Sequence, residues 1–269
     1  MFPMANYENI LFEVQSGAAR ITLNRPAKRN ALNPAMIDEI IGVLAECANN
    51  EVVRVVSITG AGDDFCSGAD LKALESTVEA GVLSLIDDAR GTAELFLRMR
   101  QHPRPIVAAV RGRALAGGCG LATAADLVLA AESARFGYPE VNVGFIPAMV
   151  TAMLRRTVGE KNVFELIATG EIIAASRARE LGLVNRVFPD NDFQREVESY
   201  VAALAAKPVS ALTLAKKLIY HTDAMNFETA IEAGVYLNVL ARKTDDFERG
   251  VKRFLAKGTR QEKADKAGE

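Results

Sequence analysis

Histidine and cysteine are scarce in this chain: two of the first and three of the second in 269 residues. His102 and His221 lie far apart, neither in an HxxE nor an HExxH setting. Cys47, Cys66 and Cys119 show no CxxC spacing and sit in apolar or glycine-rich surroundings. These absences argue against a metal site and a disulfide framework, and the free thiols fit a reducing compartment. Excess charge is also lacking. The 32 Lys plus Arg against 34 Asp plus Glu leave a formal charge of -2, so the chain has no basic surplus for wrapping a nucleic acid, although local basic clusters remain free to hold a phosphate. No run of about 18 apolar residues is present to cross a membrane, and "MFPMANYENI" has no charged region followed by an apolar stretch. The expectation is a cytoplasmic protein with neither nucleic acid nor membrane as partner.

What the chain does have is core material, 49% hydrophobic residues, arranged in alternating short strands and helices. "NILFEVQSGAARITLNRP" reads as a hairpin turning at Ser-Gly and closed by Pro26. In "NPAMIDEIIGVLAECANN", Asn33 is placed to cap a helix with Pro34 at its first position and Ile37, Ile40, Ile41, Leu44 and Ala48 on one face. "VRVVSITG", "PIVAAVRG", "DLVLAA" and "ARFGYPE" read as short strands, and residues 76–101 as a helix with weak points at Gly81 and Gly91. A further helix is expected from Pro147, and Ser176 is expected to cap "RARELG" with Gly182 as its stop before the strand "LVNRVF". From residue 191 the pattern is almost wholly helical, with Pro208 separating two helices. The boundary drawn from this gives an α/β core over 1–205 and a helical region over 206–269.

The stretch "ALAGGCGLATAADLVLA" at 114–130 poses the functional question, because no side chain in its glycine cluster can perform chemistry. A dinucleotide fingerprint fails in detail. Gly118 and Gly120 are spaced as GxG, but the third position is Thr123 and no acidic residue follows at the required distance. Two readings remain for the glycines: close packing of a helix on a sheet, or a helix start whose free N–H groups face an anion or a developing oxyanion. A second glycine turn, "FCSGADL" at 65–71, also follows a strand. Two such turns could each supply one N–H to a single thioester oxygen.

With these residues in view, the chain resembles the crotonase superfamily, the enoyl-CoA hydratase/isomerase family, over nearly its whole length. The motifs that carry the resemblance are "NRPAKRNAL", "TGAGDDFCSGADL", "VAAVRGRALAGGCGLATAADLVLAAESARFGYPEVNVGFIP", "ASRARELGLVNRVFP" and "FERGVKRFLAKG", in that order. The resemblance implies the crotonase-like α/β fold, a spiral of ββα units in two nearly perpendicular sheets, followed by C-terminal helices that build a homotrimer or a dimer of trimers. It also implies an acyl-CoA thioester as substrate, with CoA carried as part of that substrate and no separate cofactor. The oxyanion donors are placed at the N–H groups of Ser67 and Gly117. Of the two glutamates that hydratases of this family carry, one falls on Glu140 in "YPEVNVGF", while Gly120 stands at the position of the other.

Glu140 follows a proline and lies near Phe136, Val141, Val143 and Phe145, surroundings that would raise its pKa on burial and suit it to proton transfer. Tyr138, two residues before it, is open to two readings, a polar helper or a packing aromatic. With one glutamate, three functions are weighed. The first is addition of water to a 2-enoyl-CoA, as in single-glutamate hydratases that the "GFIPA" run resembles. The second is Δ3,Δ2-enoyl-CoA isomerisation, which needs one base. The third is a non-catalytic CoA-thioester-binding scaffold. For CoA, the resemblance places Arg29, Cys66, Asp70 and Leu71 around adenine and ribose, and Phe254 and Lys257 at a position that reaches the CoA of a neighbouring subunit. Asp70 is equally suited to capping its turn.

Overall fold

The computed structural model describes residues 7–70, 75 and 77–267, the last of these, 257–267, through the backbone alone. It divides into two compact units, Met1–Ala205 and Ala206–Glu269.

The first unit opens with the hairpin β1 (Ile10–Gln15) and β2 (Ala18–Leu23), antiparallel and turned by Ser16 and Gly17. Helix α1 (Pro34–Asn49) follows, and the Asn33 side chain accepts a hydrogen bond from Met36 N–H at 2.8 Å. Its buried stripe is Met36, Ile37, Ile40, Val43, Leu44 and Cys47, at the three- and four-residue spacing that keeps side chains on one helical face. Ile41 and Ala48, expected on that face, are only half-buried at its margin. Then come β3 (Val55–Gly60), α2 (Val82–Gln101), β4 (Ile106–Val110), β5 (Arg113–Leu115) and α3 (Gly117–Ala124). They are followed by β6 (Leu127–Ala131), β7 (Arg135–Gly137), a 3₁₀ turn (Pro139–Val143), α4 (Ala148–Thr157), α5 (Glu160–Thr169) and β8 (Ile172–Ala174). Helix α6 (Ala175–Glu180), β9 (Arg186–Phe188) and α7 (Phe193–Ala205) complete the unit.

Six strands form one sheet in the order β1-β2-β3-β4-β6-β9, parallel from β2 onward, and β5-β7-β8 form a second. Alternate residues of the large sheet enter two different cores. Val56, Ile58, Ala108, Val110, Val128 and Ala130 join the main core with α1 and α2, whereas Val55, Val107, Ala109, Leu129 and Ala131 pack against Phe193, Val197 and Val201 of α7. A parallel sheet covered on both faces reads as the near-continuous apolar runs seen in "IVAAV" and "LVLAA". His102 is structural, its ring nitrogens within 3.1 Å of the Arg104 and Leu44 carbonyls.

The second unit consists of α8 (Val209–His221), α9 (Phe227–Arg242) and α10 (Asp245–Ala267), with Pro208 as the N-cap of α8. Within it the Asp246 carboxylate accepts the N–H and hydroxyl of Ser210, which pulls its pKa down to about 2. Among the described residues no helix is long and apolar enough to cross a membrane.

Several local expectations need correction. Ser176 does not cap its helix: α6 begins at Ala175 with Ala174 as N-cap, so the serine lies inside the first turn. Gly91 does not interrupt α2, and Gly81 serves as its N-cap. Strands β5 and β8, three residues each, and helix α5 were not legible from periodicity.

The Asn33 cap offers a direct test of the helix start. Asn33→Ala should lower stability by about 1 kcal/mol, the usual worth of such a cap, read as a shift of the urea midpoint at unchanged slope.

Candidate active site

The site is organised by the backbone segments that follow three strands, β3 of the large sheet and β5 and β7 of the small one. In the parallel β5–β7 ladder Leu115 is level with Gly137, so the chain emerges together as Ala116–Gly117 from one strand and Tyr138–Pro139–Glu140 from the other. Single-residue bridges add Cys66 beside Ala114 and Leu32 beside Ala69. The turn after β3 therefore runs along β5, and its far end meets the start of α3.

Glycine makes that approach possible. A Cβ on Gly118 would lie 2.3 Å from the Cys66 carbonyl oxygen, and one on Gly68 would lie 2.8 Å from the Ala116 Cβ. The turn is also pinned by polar groups. Buried Asn30 donates from Nδ2 to the Ala61 and Asp64 carbonyls (2.9 and 2.7 Å) and accepts from Arg25 N–H through Oδ1. Asp64, itself buried, takes a forked interaction from Arg113, with Nε to Oδ1 at 2.8 Å and Nη2 to Oδ2 at 3.1 Å. Arg25 Nη2 donates to Asp70 Oδ2 at 2.8 Å and its Nη1 to the Ala31 carbonyl at 2.6 Å.

This geometry corrects one expected donor. Ser67 N–H donates to the Arg29 carbonyl at 3.0 Å and so is not open to a ligand. Two residues on, Ala69 N–H has no acceptor among the described residues, and Ala69 is exposed. Gly117, the first residue of α3, likewise has an N–H without an acceptor among the described residues, as the first turn of a helix must. The two groups are neighbours, since a Cβ on Gly117 would lie 3.9 Å from the Ala69 nitrogen. Ala116, immediately before, holds φ 49° and ψ -127°, a conformation that costs a non-glycine residue roughly 1–3 kcal/mol. Its own N–H is spent on the Gly137 carbonyl at 2.9 Å. That turn starts α3 with its positive dipole end and the Gly117 N–H beside Ala69.

Glu140 sits in the 3₁₀ turn, half-buried, and its Oε2 is sealed from solvent with no hydrogen-bond partner. Loss of hydration raises its pKa, opposed in part by a hydrogen bond from its own backbone. Of the apolar residues expected around it, Phe136 is buried, whereas Val141, Val143 and Phe145 are exposed, Val143 at 81% and Phe145 at 57%. Tyr138 is fully buried, with its hydroxyl 2.7 Å from Thr123 Oγ1.

At Gly120 the absence of a side chain is structural as well as chemical. A Cβ there would lie 2.5 Å from Val150 Cγ2 and 3.1 Å from the Phe96 ring. Helices α2 and α4 fill the space that a second carboxylate would need.

The expected CoA-binding residues divide into several groups. The Cys66 thiol is fully buried, with burial raising its pKa to about 12, and its N–H and C=O are taken by Arg113 and Leu115; Cys66 therefore belongs to the fold of the turn, a correction to its expected role. The Asp70 carboxylate is paired with Arg25, a partner that nothing near it in sequence announces. The Arg29 side chain is exposed beside the turn that its carbonyl holds. Leu71 lies outside the described residues, as does the side chain of Lys257. In the second unit Phe254 is exposed, on an apolar hollow with Pro208, Phe247, Val251 and Leu255. Among the described residues no cluster of histidine, cysteine and carboxylate side chains could hold a metal.

Comparison with known proteins places this geometry in context. The sequence model of the enoyl-CoA hydratase/isomerase family matches residues 13–263. The chain is 36% identical over 244 residues to the 2,3-dehydroadipyl-CoA hydratase of Escherichia coli, covering 89% of this chain and 92% of that protein. It is 32% identical over 227 residues to the short-chain-enoyl-CoA hydratase of Clostridium acetobutylicum, covering 83% and 85%. Among solved structures, an enoyl-CoA hydratase of Mycobacterium smegmatis superposes with a TM-score of 0.88 at 33% identity, covering 93% of this chain and 97% of that one.

The packing at Gly120 yields a stability test. Gly120→Ala should destabilise by about 1–3 kcal/mol through overpacking, and Val150→Ala in the same chain should recover part of the loss, measured by urea unfolding.

Proposed function

Because the chain belongs to the enoyl-CoA hydratase/isomerase family, we propose that its enoyl-CoA hydratase-type activity runs on one carboxylate, Glu140, and on the paired N–H groups of Ala69 and Gly117. The observation that carries this reading is the sealed, partnerless Oε2 of Glu140, in a turn that leaves its strand level with the segment carrying Gly117. The substrate class is a 2-enoyl-CoA thioester, with CoA part of the substrate and no other cofactor required.

The chemistry follows from the groups present. The thioester oxygen accepts both free N–H bonds, which strengthen as charge moves onto it in the enolate. Glu140 in its ionised form takes a proton from water as the water oxygen adds to C3, and the double-bond electrons pass into the thioester. The acid so formed returns a proton to C2, and the carboxylate is restored. A carboxylate with one oxygen sealed from every hydrogen-bond donor is a stronger base than a fully solvated one, and its raised pKa lies nearer the working pH. The same groups could move a 3-enoyl double bond to the 2 position, since Gly120 leaves no second acid to hold the water. The hydratase names of the two curated relatives favour water addition.

The CoA moiety is assigned to the face of the 66–70 turn, with the exposed Arg29 as its phosphate or adenine contact. Phe254 and Lys257 are assigned to the CoA of a neighbouring subunit. The exposed apolar side chains of α9, among them Ile231, Val235 and Val239, fit assembly as a homotrimer or a dimer of trimers.

Three measurements test this reading. Glu140→Gln should reduce consumption of crotonyl-CoA, followed by loss of conjugated thioester absorbance, by about 10²- to 10⁴-fold, without loss of stability. The sign follows from linkage. A carboxyl whose folded pKa lies above its unfolded one destabilises the fold at neutral pH, and that cost is relieved as pH falls. For turnover the dependence runs the other way: kcat/KM should fall as pH drops through a value above 4.5, because the base form is consumed. Gly117→Val has room for its Cβ, but its methyl groups would crowd the Ala69 N–H; it should fold and lose roughly 100- to 1,000-fold in kcat/KM, the scale of losing one such donor. If crotonyl-CoA is untouched while a 3-enoyl-CoA gains conjugated absorbance, the one-base isomerase reading replaces hydration.

A further inference from the structure

Beneath the site lies a buried polar cluster that the proposed chemistry does not use. Tyr138, Thr123 and Cys119 are each at most 4% exposed. Cys119 and Thr123 stand one helical turn apart on α3, the helix whose first residue is Gly117, and Tyr138 precedes the Pro139–Glu140 pair. The hydroxyl of Thr123 donates to the Cys119 carbonyl at 2.8 Å. A hydroxyl carries one proton, so the 2.7 Å contact between Tyr138 Oη and Thr123 Oγ1 is a donation from the tyrosine. The Cys119 thiol lies beside the Tyr138 hydroxyl and the Gly137 backbone.

We propose that Tyr138, through its hydrogen bond to Thr123, is a positioning residue that fixes the Glu140 turn against helix α3 and so sets the carboxylate relative to the Gly117 N–H. This rests on the reading of Glu140 and Gly117 given above. Among the described residues one other direct backbone tie joins the two segments at this level, the bond from Ala116 N–H to the Gly137 carbonyl. It holds the end of β7, two residues short of the turn. The tyrosine bond acts on the residue directly before Pro139, one residue closer to Glu140, and adds a second tie through side chains.

The electrostatics agree with the placement. The Cys119 thiol and the Tyr138 phenol are both pushed up, first by burial and further by the Glu140 charge, so both remain neutral beside an ionised glutamate. They are the titratable groups that face Glu140 from α3 and from its own turn. Helix α5, packed on that turn, carries Glu160, Lys161 and Glu165, none in a salt bridge with Glu140. With neutral neighbours and a sealed Oε2, the raised pKa of Glu140 depends on the turn staying closed against water.

The test uses the full chain. Tyr138→Phe removes one oxygen and leaves the ring in place, and Thr123→Val removes its partner at nearly constant shape. Each variant should lower kcat for crotonyl-CoA by roughly 10- to 100-fold, the scale of misplacing a reacting group, with KM changed less than about twofold. The double variant should be no worse than the more damaged single one, since both changes break one link. Independently of turnover, the Glu140 carboxyl titration, followed by NMR with labelled glutamate, should move down toward 4.5 in either variant as water enters. Wild-type kcat and an unmoved titration in both variants would overturn the proposal, even if their melting temperatures fell, as would additive losses in the double variant. If the tyrosine variant does not fold, the threonine variant decides alone. Failure of the underlying reading looks different: wild type would leave crotonyl-CoA and a 3-enoyl-CoA unchanged, while the titration would still report whether Tyr138 holds the turn.

Discussion

The contact on which this site depends is a backbone lying on a backbone: the start of α3 against the Cys66 carbonyl, at a distance that excludes a Cβ on Gly118. Everything catalytic in the proposed reading is referenced to that contact. It brings the far end of the 66–70 turn, with its free Ala69 N–H, beside the free N–H of Gly117, although 48 residues of sequence separate them. The polar groups around it serve the same end. Asn30 spends its amide on the carbonyls of residues 61 and 64, and Arg113 grips Asp64 from the strand that leads into α3. Arg25 then holds Asp70 at the exit. A loop that must present one N–H outward has nearly all its other polar groups paired inward, because an unpaired buried group would cost more than one hydrogen bond returns.

Glu140 is the exception to that pairing, and the exception is what gives it chemistry. A carboxylate oxygen sealed without a donor is unfavourable in the ionised form, so the fold gives up stability there to obtain a base whose pKa is raised. Ala116 represents a second such concession, in backbone strain rather than desolvation. Ala116 lies one residue past the end of β5 and Glu140 three residues past the end of β7. The short second sheet is therefore less a layer of the core than a register device that delivers two costly conformations to one place.

The sequence announced most of this scaffold, because its signals are local. The Ser-Gly turn, the Asn33 cap and the apolar strands each act within a few residues, and the order of motifs carried the family. What escaped it was settled by partners distant in the chain. Ser67 and Ala69 are two residues apart in a turn and chemically indistinguishable as N–H donors; only the Arg29 carbonyl, which occupies the first, separates them. Cys66 is offered by the sequence as a ligand contact, and Asp70 as a ligand contact or a turn cap, because nothing near them in sequence shows that the neighbouring strand and Arg25 engage them. Strands of three residues, such as β5 and β8, are too short to establish a period of two, and β5 is the element on which the register of the site turns.

Gly120 shows how a sequence reading can be right about chemistry and incomplete about cause. The chain reads as lacking an acid there, and the structure adds that a Cβ at this position would press on Val150 and Phe96, which come from two separate helices to close the space. Loss of the acid and closure of the space are coupled: an ionised carboxylate pressed against an isopropyl group and a phenyl ring would be desolvated without a partner, and an empty space beside a bare glycine would be a cavity. Restoring a second acid would therefore require changes on α2, α3 and α4 together. Such a site is committed to a single carboxylate, and the precision with which the fold holds that carboxylate carries the weight that a second acid would otherwise share.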